Sequence, residues 1–516
     1  MKDRMKRFSD GLRLFLASRG FFIFILAFFI FESCWIALSA AYPQAFDENF
    51  HFGLIQIYSH YWLPFLSSQP IHANAYGAVA RDPSYLYHYL MSFPYRFIQP
   101  FVHSQTGQVI WLRFINILLV AWAVILFRKV LLRVGTSRSL ANFALLLFCL
   151  IPIVPQLAAQ INYDNLLIPL IAWVILLTFS VTDQIRSHKL SIVSLVGLAG
   201  LCLLTSLVKY AFLPIFLAVV VFLAGVVIIN YKKAFGHFFQ QLGASWKKQS
   251  GVMRALLIGL LLLSAGMFIQ RDGVNLVEYH NIAPNCAVVL NAKDCNAYSV
   301  WASDYSRHQQ LQAQLKAGTF KYMNPFIFLW QWFYWMWYRL FFAVNGPISG
   351  FTNYPPLPLP SAAAILIVLI GLFCIIKWWH KIFHHNSKLI FLAITSAIYI
   401  IALVIQGYSS YRYTGILENM NGRYLLPVIL LMAAIFGRAI ALALRQATTA
   451  KALISVFVLI LFLQGGGFIT FITRSDDTWY FQNQVVTKAN NDARKIINPV
   501  VLNGEKQYST SYWFFN

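Results

Sequence analysis

Charge is scarce in this sequence, and acid is scarcer still. Only 11% of the 516 residues are charged, with 17 Asp or Glu against 40 Lys or Arg. A soluble domain of this size needs roughly a quarter of its surface charged, so a soluble fold is excluded. Cysteine is also rare, at six, which excludes a dense disulfide scaffold. There is no internal repeat, no low-complexity tract and no separate soluble domain. The sequence has no Asn-X-Ser/Thr sequon, which is compatible with a bacterial inner membrane. What is abundant is apolar surface: 59% hydrophobic residues and a mean hydropathy of +0.62. The apolar residues fall in runs of about twenty, the length that crosses a hydrocarbon core, so the chain reads as an all-α polytopic membrane protein.

Eleven spans are expected, at about 20–41, 109–127, 139–157, 165–181, 190–208, 211–230, 254–270, 361–380, 389–406, 424–444 and 451–473. The first follows a basic start but is too long for a signal-peptide core and ends without a small-residue cleavage site, so it reads as a retained helix. With the N-terminus cytoplasmic, the inner segments hold 23 of the 40 Lys and Arg but only Asp3, Asp10 and Asp183 of the 17 acids. The formal charge of +23 is then mostly positive-inside topology facing anionic headgroups. Membrane lipids are sufficient partners for it, and no nucleic acid is needed.

The expected transmembrane unit covers 1–473, with a short polar outer tail at 474–516. Two outer regions carry the bulk. The first, 42–108, holds two semi-apolar stretches near 54–66 and 85–101 that read as surface helices. The second, 271–360, runs from Arg271-Asp272-Gly273 to the turn-rich Tyr354-Pro355-Pro356-Leu357-Pro358-Leu359-Pro360. Within it, Phe326 to Arg339 is dense in Trp and Tyr, as expected of an interfacial helix. Cys34, Cys149, Cys202 and Cys374 fall in spans as packing residues. Cys286 and Cys295 lie together outside, where an oxidised pair would close a short loop; the alternative is two free thiols.

The chemistry concentrates where the first span ends, at Ala45-Phe46-Asp47-Glu48-Asn49-Phe50-His51. Moving a sugar from a lipid-linked phosphate to a hydroxyl needs a base for the acceptor, stabilisation of the departing phosphate and often a divalent cation. The donor's lipid tail stays in the bilayer, so these groups belong at the lipid-water boundary. Asp47 and His51 sit one helical turn apart, as a base with a partner or as two metal ligands. Capping of a surface helix explains the acid pair equally well.

Other outer groups extend this constellation. Asp164, in Asn162-Tyr163-Asp164-Asn165, is pinned near the membrane by a short turn, where an N-cap is the simpler reading. Arg423, in Asn421-Gly422-Arg423-Tyr424-Leu425-Leu426-Pro427, enters a span from outside and could take a phosphate bidentately. Lys209 occupies a tight turn between two apolar spans. Snorkelling would account for either cation. Arg81 could meet phosphate, while Tyr85 and His88 could line an acceptor groove or simply anchor a helix. Glu32, in mid-span, reads as a functional carboxylate or a protonated structural one.

In this order of elements, the cytoplasmic N-terminus, the long first outer loop opening on Asp47-Glu48, the acidic turn at Asp164 and the late Gly422-Arg423-Tyr424-Leu425-Leu426-Pro427, the chain resembles the GT-C superfamily of integral-membrane glycosyltransferases. It is similar in particular to the bacterial protein mannosyltransferase and aminoarabinose transferase group. The resemblance covers ten spans in organisation but only short motifs in residues. It implies a GT-C-like fold and inverting transfer of a hexose or pentose from a polyprenyl-phosphate donor to a lipid, glycan or protein acceptor on the outer leaflet. On that pattern Asp47 is the base, Glu48 assists it or binds a metal, Asp164 is a second-loop acid, and Arg423 holds the donor phosphate. Beside the resemblance, Lys209 and Arg81 are further candidates for that phosphate, and Glu48 with His51 for a divalent metal such as Mg2+ or Mn2+. The sequence lacks a Trp-Trp-Asp-type acceptor motif, which argues against oligosaccharide transfer to protein.

Two other classes compete. A transporter of lipid-linked glycans needs ionisable groups or broken helices near the midplane, whereas these spans are almost free of charge. A non-catalytic scaffold predicts that Asp47 is dispensable. An outer-leaflet polysaccharide polymerase or ligase is closer, but its expected arginine-rich loop has only Arg271, Arg307 and Arg339 here.

Overall fold

The computed structural model describes residues 2–341 and 358–501, apart from residues 46, 67, 233, 234, 385, 419, 446, 447 and 476. The turn-rich stretch up to residue 357 and the tail from 502 lie outside the described residues. The described chain is all-α, with one isolated bridge between Ala40 and Tyr480. Eight helices are long and apolar enough to cross a membrane: Arg19–Ser39, Gln105–Arg133, Asp164–Arg186, Tyr210–Tyr231, Gly251–Tyr279, Leu359–Phe383, Ser387–Thr414 and Gly422–Ala443. Three shorter apolar helices, Arg138–Cys149, Ile192–Val208 and Thr449–Leu463, occupy the other expected spans.

Two of the short helices end at identifiable breakers. Arg138–Cys149 stops before Pro152, which has no N–H to continue the ladder, and the chain resumes as Ile153–Ala158. The helix ending at Leu463 stops at a glycine run in which Gly465 and Gly467 have φ of 142° and 59°. The two breaks meet, because the Gly467 N–H donates to the Leu150 carbonyl at 2.8 Å. Glu32 closes the junction, its Oε2 accepting from the Phe468 N–H at 3.3 Å. A Cβ on Gly467 would stand 2.3 Å from that oxygen. The mid-span carboxylate is therefore a structural pin for a broken helix.

Gln105–Arg133 and Asp164–Arg186 pack together at the centre, the latter with 67% of its most apolar window buried. Gly251–Tyr279 lies at the periphery with 17% of its window buried. Exposed Leu262, Ile229, Phe373 and Ile376 give these outer helices a surface suited to lipid. At one end of the bundle Asp183 accepts from Arg133 at 3.3 Å and from Lys388 at 2.8 Å. The opposite end carries the loops. There the expected surface helices form as Glu48–Tyr58 and Leu86–Ile98.

The aromatic helix Pro325–Tyr338 has 14 residues. At 1.5 Å per residue it reaches only about 21 Å, short of the roughly 30 Å hydrocarbon core. The start of the second outer region differs from expectation. Arg271 and Asp272 do not open a loop; they are buried in a π turn, Ile269–Gly273, through which the helix continues to Tyr279. The C-terminal region also folds back. In Gln484–Ile497, Asn490 accepts from Trp35 Nε1 and donates to Ser39 Oγ, both at 3.0 Å.

Candidate active site

The site rests on an ion pair wholly inside the protein. Arg113, on the second span, donates through Nε to Glu48 Oε1 at 2.8 Å and through Nη2 to Glu48 Oε2 at 2.7 Å. Both side chains have 0% exposure. Arg113 Nη1 also donates to the carbonyls of Ala37 and Ala40, at 3.0 and 2.6 Å. The remaining capacity of Glu48 is taken by the N–H groups of Gln44 and Ile161, at 2.7 and 3.1 Å. One guanidinium thus ties the end of the first span to the start of the Glu48 helix. The sequence reading has Glu48 assist catalysis or bind a metal; here its oxygens are committed to Arg113 and backbone amides.

Asp47 is what that anchor presents. It occupies the N-cap position in the left-handed region, φ 67° and ψ 30°, and makes no side-chain capping bond. An Asp in this region is tolerated but strained, and such residues cluster where function fixes the backbone. Its side chain is 57% exposed and meets Arg423 Nη2 at 3.3 Å. Asp164 does not cap either: Asn162 Oδ1 accepts from the Asp164 N–H at 2.9 Å, which leaves the carboxylate to face inward. There Lys209 Nζ donates to its Oδ1 at 2.7 Å, and Arg423 Nε stands 4.0 Å from its Oδ2.

Four ionisable residues from four separate connections therefore converge at one end of the bundle. Arg423 bridges the two carboxylates, and Lys209, 4.3 Å from the centroid of the Tyr163 ring and 4.8 Å from that of Tyr424, completes the set. Cation–π contacts of this kind hold an ammonium in a partly desolvated place. Gly422 permits the turn that delivers Arg423. A Cβ there would lie 2.7 Å from the backbone of Arg339 and Leu340 at the end of the aromatic helix.

Behind this cluster His51 Nδ1 and His88 Nε2 are 2.9 Å apart, both rings buried. Burial first, then the neighbouring His88, Arg423 and Lys209, push His51 well below its usual value. Burial likewise lowers His88 to about 3. The pair is neutral at ordinary pH. His51 faces His88, whereas the sequence reading offers it as a partner or co-ligand of Asp47.

The remaining expected residues have other partners. Arg81 pairs with Glu278 at 3.2 Å. Tyr85 has 0% exposure and lies under Arg271, 4.4 Å from its guanidinium carbon. Tyr85 and His88 are core residues and line no open groove. For a divalent cation, the named ligands Glu48 and His51 are committed to Arg113 and His88, and no group of three or more His, Cys, Asp or Glu comes together among the described residues. The side chains present do not fit a metal site. Cys286 and Cys295 are bonded, with an S–S distance of 2.07 Å.

Sequence reasoning missed Arg113, Tyr163 and Tyr424. Arg113 was detectable as a charged residue inside an apolar run, which requires a partner. The two tyrosines flank identified charges, and only the fold shows that they wall the same ammonium.

No family model and no curated protein matches the chain. Two solved structures of the oligosaccharyltransferase from Archaeoglobus fulgidus are similar to it. The apo form gives a TM-score of 0.45 and 13% identity over 95% of this chain and 56% of that one. A form tethered through a disulfide to an acceptor peptide with the NVT sequon gives 0.41 and 12%, over 96% and 59%. The chain spans less than two thirds of the length of those structures.

Proposed function

We propose that the protein is a GT-C-type membrane glycosyltransferase, moving a single hexose or pentose from a polyprenyl-phosphate donor to a hydroxyl of a lipid, glycan or protein. The observation that carries this reading is the exposed Asp47 carboxylate held by Arg423 next to the Asp164–Lys209 pair. In the proposed reaction Asp47 accepts the proton of the acceptor hydroxyl. The freed oxygen attacks the anomeric carbon, the bond from that carbon to the phosphate oxygen breaks, and configuration inverts. The charge left on the phosphate is met by Arg423 and Lys209, a fork and a point charge. Asp164 holds those cations in place, and the buried histidine pair backs them without charge. No step is routed through a metal.

The Lys and Arg excess of the expected inner segments, Arg133 and Lys388 among them, supports a cytoplasmic N-terminus and an outer-face site; the membrane we propose is a bacterial inner one. The test is transfer of radiolabelled sugar from a panel of polyprenyl-phosphate donors by purified protein, with and without EDTA. Asp47→Asn should keep its melting temperature and lose about 10²–10⁴ of the turnover, the range for a general base. Unchanged turnover in Asp47→Asn refutes the assignment of the base.

A further inference from the structure

An aromatic group on the helix that starts at Asp47 has no part in the proposed reaction. Phe50 lies three residues after Asp47, on the first turn of the same helix, and is half-buried. Its ring stacks on Tyr298, with centroids 5.9 Å apart and planes at 29°, and the Tyr76 ring stands 6.0 Å away. Tyr298 and Tyr76 are also half-buried.

Tyr298 comes from far away in sequence, and several features fix it there. The ring closed by Cys286–Cys295 ends three residues before it, and the Tyr298 N–H donates to the Cys295 carbonyl at 2.9 Å. Trp301 packs on both cysteines and donates to Asn285 Oδ1 at 2.7 Å. Gly77, at φ +77°, allows the first loop to close on the tyrosine; a Cβ there would stand 3.0 Å from Tyr298 Cδ1. After burial, the charges of Asp82, Asp47 and Asp304 raise the Tyr298 phenol further, which places the ring within the field of Asp47.

We infer that Phe50 and Tyr298 form a pyranose-binding platform, on which the sugar ring of a glycan acceptor stacks with a hydroxyl turned toward Asp47. The inference rests on the transferase reading for the direction of that hydroxyl, and on geometry alone for sugar binding. Rigid aromatic faces bury the apolar C–H face of a pyranose while its hydroxyls stay wet. Both rings are half-buried here, and Phe50 sits on the first turn of the helix whose N-cap is the exposed Asp47. Tyr85 and His88, the aromatic candidates from sequence, are buried and cannot do this. The cystine ring positions Tyr298 and touches no sugar.

The test is saturation-transfer NMR on the detergent-purified full chain, with methyl pyranosides of glucose, galactose, mannose and N-acetylglucosamine as probes. Wild type should transfer saturation to ring C–H protons of at least one probe. Tyr298→Phe should retain that signal, Tyr298→Leu should reduce it at least fivefold, and Cys286→Ser/Cys295→Ser should fall between. Phe50→Leu is the second variant should Tyr298→Leu fail to fold. Absence of signal from every probe, or an undiminished signal in both leucine variants, overturns the inference. A failed transferase assay with intact Tyr298-dependent binding sinks the reaction and leaves the platform standing.

Discussion

Replacing Glu48 by Gln separates an anchor from a catalyst. The Glu48 and Arg113 side chains are fully buried and doubly bonded, and removing one member of such a pair typically costs about 3–5 kcal/mol because a charge is left unpaired in the interior. Arg113→Met should cost more. It also leaves the Ala37 and Ala40 carbonyls without their donor, adding about 1 kcal/mol for each. The double variant Glu48→Gln/Arg113→Met carries no orphan charge, so it should be no less stable than Arg113→Met alone. The coupling between the two positions should then be about 3 kcal/mol, well beyond ordinary additivity. Equilibrium unfolding in mixed micelles measures all four species, with sugar transfer assayed on each. If Glu48→Gln lies within about 1 kcal/mol of wild type while transfer is abolished, Glu48 acts on substrate and the anchor argument is wrong.

Three further outcomes follow from the same geometry. Arg423→Lys keeps the charge but loses the fork that reaches both Asp47 and Asp164, so transfer should drop about tenfold or more in a folded protein; steady-state rates equal to wild type would remove the bridging role. His51 and His88 have folded pKa values below the unfolded value of about 6.5, so their contribution is fully present above that pH. It is lost as pH falls, by up to about 1.4 kcal/mol per unit for each ring; melting temperatures from pH 7.5 to 5.5 should fall less steeply in His88→Phe. Gly467→Ala meets both a positive φ and the Glu32 carboxylate and should lose about 2 kcal/mol or more, read by unfolding. An unaffected Gly467→Ala would mean that the helix junction is not where the structure puts it.

The sequence by itself determined the positions of the apolar helices, because a membrane span must satisfy its backbone within one continuous run. It also marked the charged residues at one end, since an apolar chain has so few that each stands out. Asp47, Asp164, Lys209 and Arg423 were legible for that reason. Their partners were not. Glu48 and Asp47 are neighbours in sequence with the same chemistry, and only packing turned one inward onto Arg113 and left the other exposed to meet Arg423. Tyr85 and Tyr298 are both aromatics of outer loops, yet the first is sealed under Arg271 and the second, next to the Cys286–Cys295 ring, is held against Phe50 of the first loop. Spacing along a chain fixes which face of a helix a residue occupies, but what stands opposite that face is set by tertiary contacts. Here those contacts decided which carboxylate is buried and which is left exposed.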